Sequence, residues 1–154
     1  MLDVTGSQGP YIASVKESIE NICTDIQRSE RLSSSLVHRY GLIIFRDHPP
    51  QDTSFITREY SFVSSVSEFI PIIRALPGAS GGGDTPEAVT AALANALRMG
   101  WRAEATRVIV LVADAPPHGI GGDGDGFPDG VPGGESSSKN ARMAMNAKAI
   151  HYRR

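Results

Sequence analysis

Asp3, Thr5 and Ser7 put one carboxylate and two hydroxyls on alternate residues near the start of the chain, in Leu2-Asp3-Val4-Thr5-Gly6-Ser7. Alternate side chains of an extended segment point to one side, so these three oxygens face the same way. Gly6 carries no side chain and lets the following turn close around what they hold. Small hard divalent cations take oxygen ligands, and magnesium asks for octahedral geometry while keeping some of its waters. The segment therefore reads as half of a cation socket. Two later loops, Gly83-Asp84-Thr85-Pro86 and Ala113-Asp114-Ala115-Pro116, offer the oxygens that complete it. The expected ligands are Asp3, Thr5, Ser7, Thr85 and Asp114, the last directly or through water. The expected ion is Mg2+, or Mn2+ or Ca2+ in its place. Neutral hydroxyls hold a cation without cancelling its charge, which leaves it electrophilic toward a carboxylate from a partner protein. The competing reading is that Asp3, Ser7 and Thr85 only cap helices, as such residues do constantly. Three loops of complementary chemistry outweigh it, provided the fold brings them to one rim.

The elements between the loops are arranged to do so. Residues 2–4 are the end of a strand, and Ile12, Val15, Ile19, Ile22 and Ile26 form a one-faced helical stripe from Tyr11 to about Arg31. Ser33-Ser34-Ser35 is a break. Leu42-Ile43-Ile44-Phe45 is a continuous apolar run, as expected of a strand covered on both faces. Asp47 to Asp52 reads as a rigid polar turn. Phe55 to Phe62 mixes polar with β-branched and aromatic residues, which suits an antiparallel edge strand. Val66, Phe69, Ile70, Ile73 and Leu76 mark a second helix, with Pro71 near its start or kinking it. Thr85-Pro86-Glu87 has the chemistry of a helix start, and that helix should run through Val89, Leu93 and Leu97 to Gly100. Val108 to Val112 reads as a buried strand with Asp114 just past its end. Residues 116–138 form a long loop, Asn140 to Lys148 a last helix, and Ala149 to Tyr152 the start of another strand.

Strands alternating with helices predict an α/β fold, Rossmann-like and doubly wound, with a mostly parallel sheet, helices on both faces and one antiparallel edge strand. Ligands in such folds sit beyond the carboxyl ends of the strands.

The composition bounds the function. The 154 residues make one domain, 1–154, and 40% apolar with 21% charged residues is ordinary for a globular protein. A net charge of -2 lacks the basic footprint of a nucleic-acid binder, Arg153-Arg154 notwithstanding. One cysteine, Cys23, excludes an internal disulfide framework, and its place in a helical stripe makes it a small core residue. No membrane partner is expected, since no run approaches the roughly 20 apolar residues of a span. No signal peptide precedes the first motif, so a cytoplasmic protein is the default.

The sequence Asp3-Val4-Thr5-Gly6-Ser7 resembles the D-x-[ST]-x-S signature of von Willebrand factor type A domains. That family's metal-ion-dependent adhesion site is completed by a threonine and an aspartate from two later loops, where Thr85 and Asp114 fall here. The resemblance covers nearly the whole chain. Phe45-Arg46-Asp47-His48, Ala113 to Gly119 and Gly124 to Gly130 are most similar to type A domains found with or near alpha-kinases in fungi and other lower eukaryotes. The resemblance implies a Rossmann-like module that binds protein ligands through magnesium or a similar ion, with no catalysis of its own. Two departures stand out. Gln8 occupies a place where methionine is common. Only Met1-Leu2 precede the first aspartate and the chain stops at the expected penultimate strand, so it reads as truncated at both ends, without a kinase module.

A magnesium-dependent phosphohydrolase of the haloacid-dehalogenase type also begins with a strand-end aspartate, but needs a second Asp two residues on, where Thr5 stands. A degenerate domain without metal is a third possibility. Gly6-Ser7-Gln8-Gly9 lacks the Gly-Lys-Ser/Thr ending of a phosphate-binding loop. Asp123-Gly124-Asp125-Gly126-Phe127-Pro128-Asp129-Gly130 fails the EF-hand spacing for calcium, so a polar surface loop is expected. His38, His48, His118 and His151 show no ligand spacing and read as surface or structural, with His118 near the rim.

Overall fold

The computed structural model describes residues 1–29, 37–120 and 123–131, and the backbone of 150–151. The expected Ser33–Ser35 break and the helix from Asn140 to Lys148 lie outside the described residues. Among the described residues the architecture is mixed α/β, with a small mixed sheet and three α-helices.

The three-stranded sheet has β2 (Tyr40–Phe45) in the middle, and β1 (Leu2–Asp3) runs parallel to it, with Leu2 opposite Ile44 and Asp3 opposite Phe45. On the other side of β1 the Asp3 amide donates to Val112 O (2.9 Å), and the Val112 amide donates back to Met1 O (3.0 Å). A two-residue strand can persist there because both of its edges are hydrogen-bonded. The third strand, β3 (Thr57–Val63), runs antiparallel to β2 and agrees with the edge strand expected from its mixed polarity. A separate pair joins β4 (Val110–Leu111) in parallel with β5 (Ile150–His151).

Alternation along β2 decides what packs where. Leu42 and Ile44 join Leu2 and Val4 in one core cluster, against α1 (Ile12–Arg28) and α2 (Val66–Arg74). Ile43 and Phe45 point the other way, into a second cluster with Val89, Ala92, Ala96 and Met99, built around α3 (Val89–Arg98). Helix α1 presents Ile12, Val15, Ile19 and Cys23 to the core, while Ile22, expected in the stripe, is 49% exposed. The i, i+4 neighbour of Ile19 is Cys23, and it takes the inward place, as its apolar character predicts. Helix α2 starts at Ser65, whose hydroxyl accepts from the Glu68 amide (3.2 Å), and Pro71 sits in its second turn.

Two expectations fail, each for a physical reason. The helix expected from Thr85 begins instead at Val89, with no side-chain cap. The Glu87 amide donates to Pro116 O (2.9 Å) and the Ala88 amide to Arg46 O (3.0 Å), so these donors serve neighbouring loops and hold residues 85–87 outside the helix. The run Val108 to Val112 is not the buried strand expected. Only Val110–Leu111 pair as a strand, and Val108 and Val110 are 60% and 41% exposed. Ile109 and Leu111 pack on the second cluster, whereas no described element covers the face that carries Val108 and Val110.

Candidate metal centre

Asp3 ends β1 inside the protein, wholly buried, and its Oδ1 accepts from the Thr5 amide (2.8 Å) and the Thr5 hydroxyl (2.6 Å). Thr5 Oγ1 lies 3.3 Å from Ser7 Oγ, and Ser7 Oγ donates to Asp114 Oδ1 at 3.0 Å. A continuous line of oxygens thus runs from the first strand to a residue 107 positions beyond Ser7. The turn carrying Thr5 and Ser7 is the short 3-10 segment Gly6–Gln8, pinned where the Gly6 amide donates to Gly81 O (2.9 Å). A Cβ at Gly6 would come 3.1 Å from that carbonyl, so the missing side chain permits the close approach.

Ser7, Thr85 and Asp114 line one cavity of about 360 Å³, together with Gly6, Gly81, Gly82, Asp84, Glu87 and Ala115. All three sequence-predicted loops therefore meet. Asp3, Thr5, Ser7 and Asp114 join through hydrogen bonds, and Thr85 shares the cavity without a described bond to them.

The electrostatics of this corner are unbalanced. Burial raises the Asp3 pKa to about 6, against the two Thr5 hydrogen bonds, with Asp114 adding to the rise. Burial raises Glu87 to about 8, and the charges of Asp3, Asp47 and Asp84 push it the same way. Asp3 Oδ2 and Glu87 Oε2 are buried with no hydrogen-bond donor. Buried carboxylate oxygens are ordinarily satisfied, so a cavity lined by Glu87, with Asp3 linked to its wall through Thr5 and Ser7, fits a hard cation well.

A second cluster, which the sequence reading did not assemble, adjoins the first. Asp47, just past β2, is wholly buried; its Oδ1 accepts from the His48 amide (2.6 Å) and contacts His118 Nε2 (2.6 Å). The other ring nitrogen, His118 Nδ1, lies 2.7 Å from Asp125 Oδ1. Asp125 also accepts from the Gly119 amide through Oδ2 and the Phe127 amide through Oδ1, both at 2.8 Å. The Asp125 side chain is therefore folded onto the rim rather than lying in the polar surface loop expected of it, while Asp123 and Asp129 are exposed. His48 and His118 are buried, 7% and 2% exposed, which selects the structural of the two readings open to them. Burial alone would lower the His118 pKa, yet hydrogen bonds to Asp47 and Asp125 outweigh it and raise it to about 9.

One signal could have nominated Asp47. Like Asp3 and Asp114 it stands just past an apolar strand-like run, and the parallel register of Asp3 with Phe45 carries it to the same end of the sheet. Nothing local marks His118, because its partner Asp47 is 71 residues away.

No protein-family model matches the chain. Among curated proteins it is similar to one from Acanthamoeba polyphaga mimivirus described as an ariadne-like RING finger protein. The two are 36% identical over 118 residues, which is 77% of this chain and 11% of that protein. It is also similar to the alpha-protein kinase vwkA of Dictyostelium discoideum, 32% identical over 137 residues, 87% of this chain and 21% of the kinase. The chain thus spans about a tenth and a fifth of the lengths of these relatives.

Proposed function

We propose that this chain is a von Willebrand factor type A-like module with a Rossmann-like fold, which holds Mg2+ or a similar divalent cation and through it binds an acidic side chain of a partner protein. The observation that carries the reading is the hydrogen-bonded line Asp3–Thr5–Ser7–Asp114 at a cavity that Thr85 also lines.

Asp3 supplies buried negative charge, with one oxygen tied down by Thr5 and the other without a donor. Ser7 and Thr85 supply neutral oxygens at the cavity wall, and Asp114 supplies a second carboxylate beside Ser7. Backbone pins at Gly6–Gly81 and Ser80–Val4 (3.0 Å) hold the two sides of the cavity in register. When bound, the cation would neutralise this corner and offer a Lewis-acidic position to a carboxylate from outside.

A recognition module is a reading that both relatives accommodate. Similarity covers a small share of two long proteins with different descriptions, a kinase and a RING finger protein. A segment common to both does not account for either description alone. A phosphohydrolase reading gains nothing from the geometry, since the group that contacts Asp3 is the Thr5 hydroxyl, which does not titrate near neutral pH and cannot serve as the second carboxyl's acid/base.

Calorimetric titration of the metal-free protein with Mg2+ and Mn2+ tests the reading. One ion should bind, and Asp3→Ala and Asp114→Ala should each abolish that binding while retaining helical circular dichroism. Undiminished binding in both folded variants would overturn it.

A further inference from the structure

We infer that Asp47, Asp84 and His118 form a second metal site, suited to a transition-series divalent cation such as Zn2+, beside the proposed Mg2+ site, whose cavity wall it shares at Asp84. Each residue offers one ligand atom, and the three atoms lie within 4.8 Å of one another. Two carboxylates and an imidazole form a mixed oxygen and nitrogen set, which favours zinc and its neighbours over magnesium.

Three observations beyond the clustering point to a ligand. Asp47 is wholly buried, and with its Oδ1 committed to the His48 amide and to His118, its Oδ2 has no N–H or hydroxyl donor, its carboxyl lying beside that of Asp84. The Asp84 carboxylate repeats the pattern: Oδ2 accepts from the Gly126 amide (2.6 Å), while Oδ1 is buried without a partner. Finally, Asp125 sits on the outer ring nitrogen of His118 at 2.7 Å. A carboxylate behind a histidine fixes the tautomer with Nδ1–H outward and aims Nε2 at the metal, the usual second layer of zinc sites.

On binding, the ion takes the Nε2 lone pair of His118. The proton that bridges Nε2 to Asp47 leaves to water, and Nδ1–H stays on Asp125. Phe127 stands edge-on to the His118 ring, with centroids 5.1 Å apart, and shields it on one side. Three protein ligands leave a position open for water or an outside group. The site would tie together the loops after β2, before α3 and after β4, the last two of which also line the Mg2+ cavity.

The test is Zn2+ titration of the metal-free protein in saturating Mg2+, followed by calorimetry and by metal analysis after dialysis. One Zn2+ should bind per chain. His118→Gln and Asp47→Asn should lose it, Asp125→Asn should weaken it about 10- to 100-fold, and Asp114→Ala should keep it. Absence of Zn2+ uptake by the folded wild type would overturn the inference, as would uptake unchanged in His118→Gln and Asp125→Asn. If the helical signal of His118→Gln or Asp47→Asn collapses, the milder Asp125→Asn decides. Failure of the Mg2+ site shows separately, as a Mg2+ titration without heat or one indifferent to Asp114→Ala.

Discussion

Ser7 and Asp114, 107 residues apart, are joined by a single hydrogen bond of 3.0 Å from hydroxyl to carboxylate. It links the turn after the first strand to the loop after the Val110–Leu111 strand, and it lies on the cavity that both residues line. A hydroxyl and a carboxylate in contact at a cavity wall compete with, and can be replaced by, shared contact to a cation.

Mg2+ should therefore stabilise the fold through this corner. A ligand present at 100 times its dissociation constant adds about 2.7 kcal/mol. Differential scanning calorimetry with Mg2+ against EDTA should show a rise in Tm of several degrees for wild type and almost none for Asp114→Ala. Equal rises in both would place the ion elsewhere.

Stability of the metal-free protein should fall as pH rises from about 5 to about 9. Asp3 and Glu87 have folded pKa values raised to about 6 and about 8, so the folded state holds their protons longer than the unfolded chain. Each stabilises the fold below its unfolded value and loses that contribution as pH climbs through the folded one. His118, raised to about 9, acts with the same sign between about 6.5 and 9. Urea melts at pH 5.5, 7 and 8.5 should give descending midpoints. Asp3→Asn should flatten the first part of the slope, and a midpoint that climbs with pH would refute the assignment.

The chemistry of the centre was legible because strand ends are. Asp3, Thr5 and Ser7 alternate in an extended segment, and Asp114 follows an apolar run, so a period of two and a rim rule sufficed to group them. What stayed hidden depended on partners far along the chain. Thr85-Pro86-Glu87 has every local mark of a helix start, yet the Glu87 amide is taken by Pro116 O, and tertiary bonding wins over capping propensity. Val108 and Val110 have the apolar character of a core strand, but apolarity cannot report whether anything packs over them. The Asp47–His118–Asp125 arrangement joins three loops with no common spacing, so periodicity had no purchase on it.

Gly81 tests how tightly the cavity wall is built. It has φ +81°, and a Cβ there would collide with the Asp52 carboxylate, while its carbonyl receives the Gly6 amide. Gly81→Ala should cost on the order of 1–3 kcal/mol from the left-handed backbone alone, with the clash adding to it, and should weaken Mg2+ binding as the Gly6 turn shifts. Gly78→Ala is the matched control, since a Cβ at Gly78 meets nothing within 4 Å. A loss of stability and Mg2+ affinity as large at Gly78 as at Gly81 would remove the structural argument.

Thr5 separates the hydroxyl's role from that of its bulk. Its Oγ1 donates to Asp3 Oδ1 at 2.6 Å inside the protein, holding the carboxylate against the burial that would otherwise protonate it. Thr5→Val keeps the shape and deletes the donor, so the Asp3 pKa should rise further and the proton should compete harder with metal. Mg2+ affinity at pH 7 should drop by at least tenfold, with part of the loss recovered at pH 8.5. Thr5→Ser keeps the hydroxyl and should bind within a few-fold of wild type. Should Val and Ser variants lose affinity equally and without pH dependence, the methyl group's packing, and not the bond to Asp3, would be what shapes the centre.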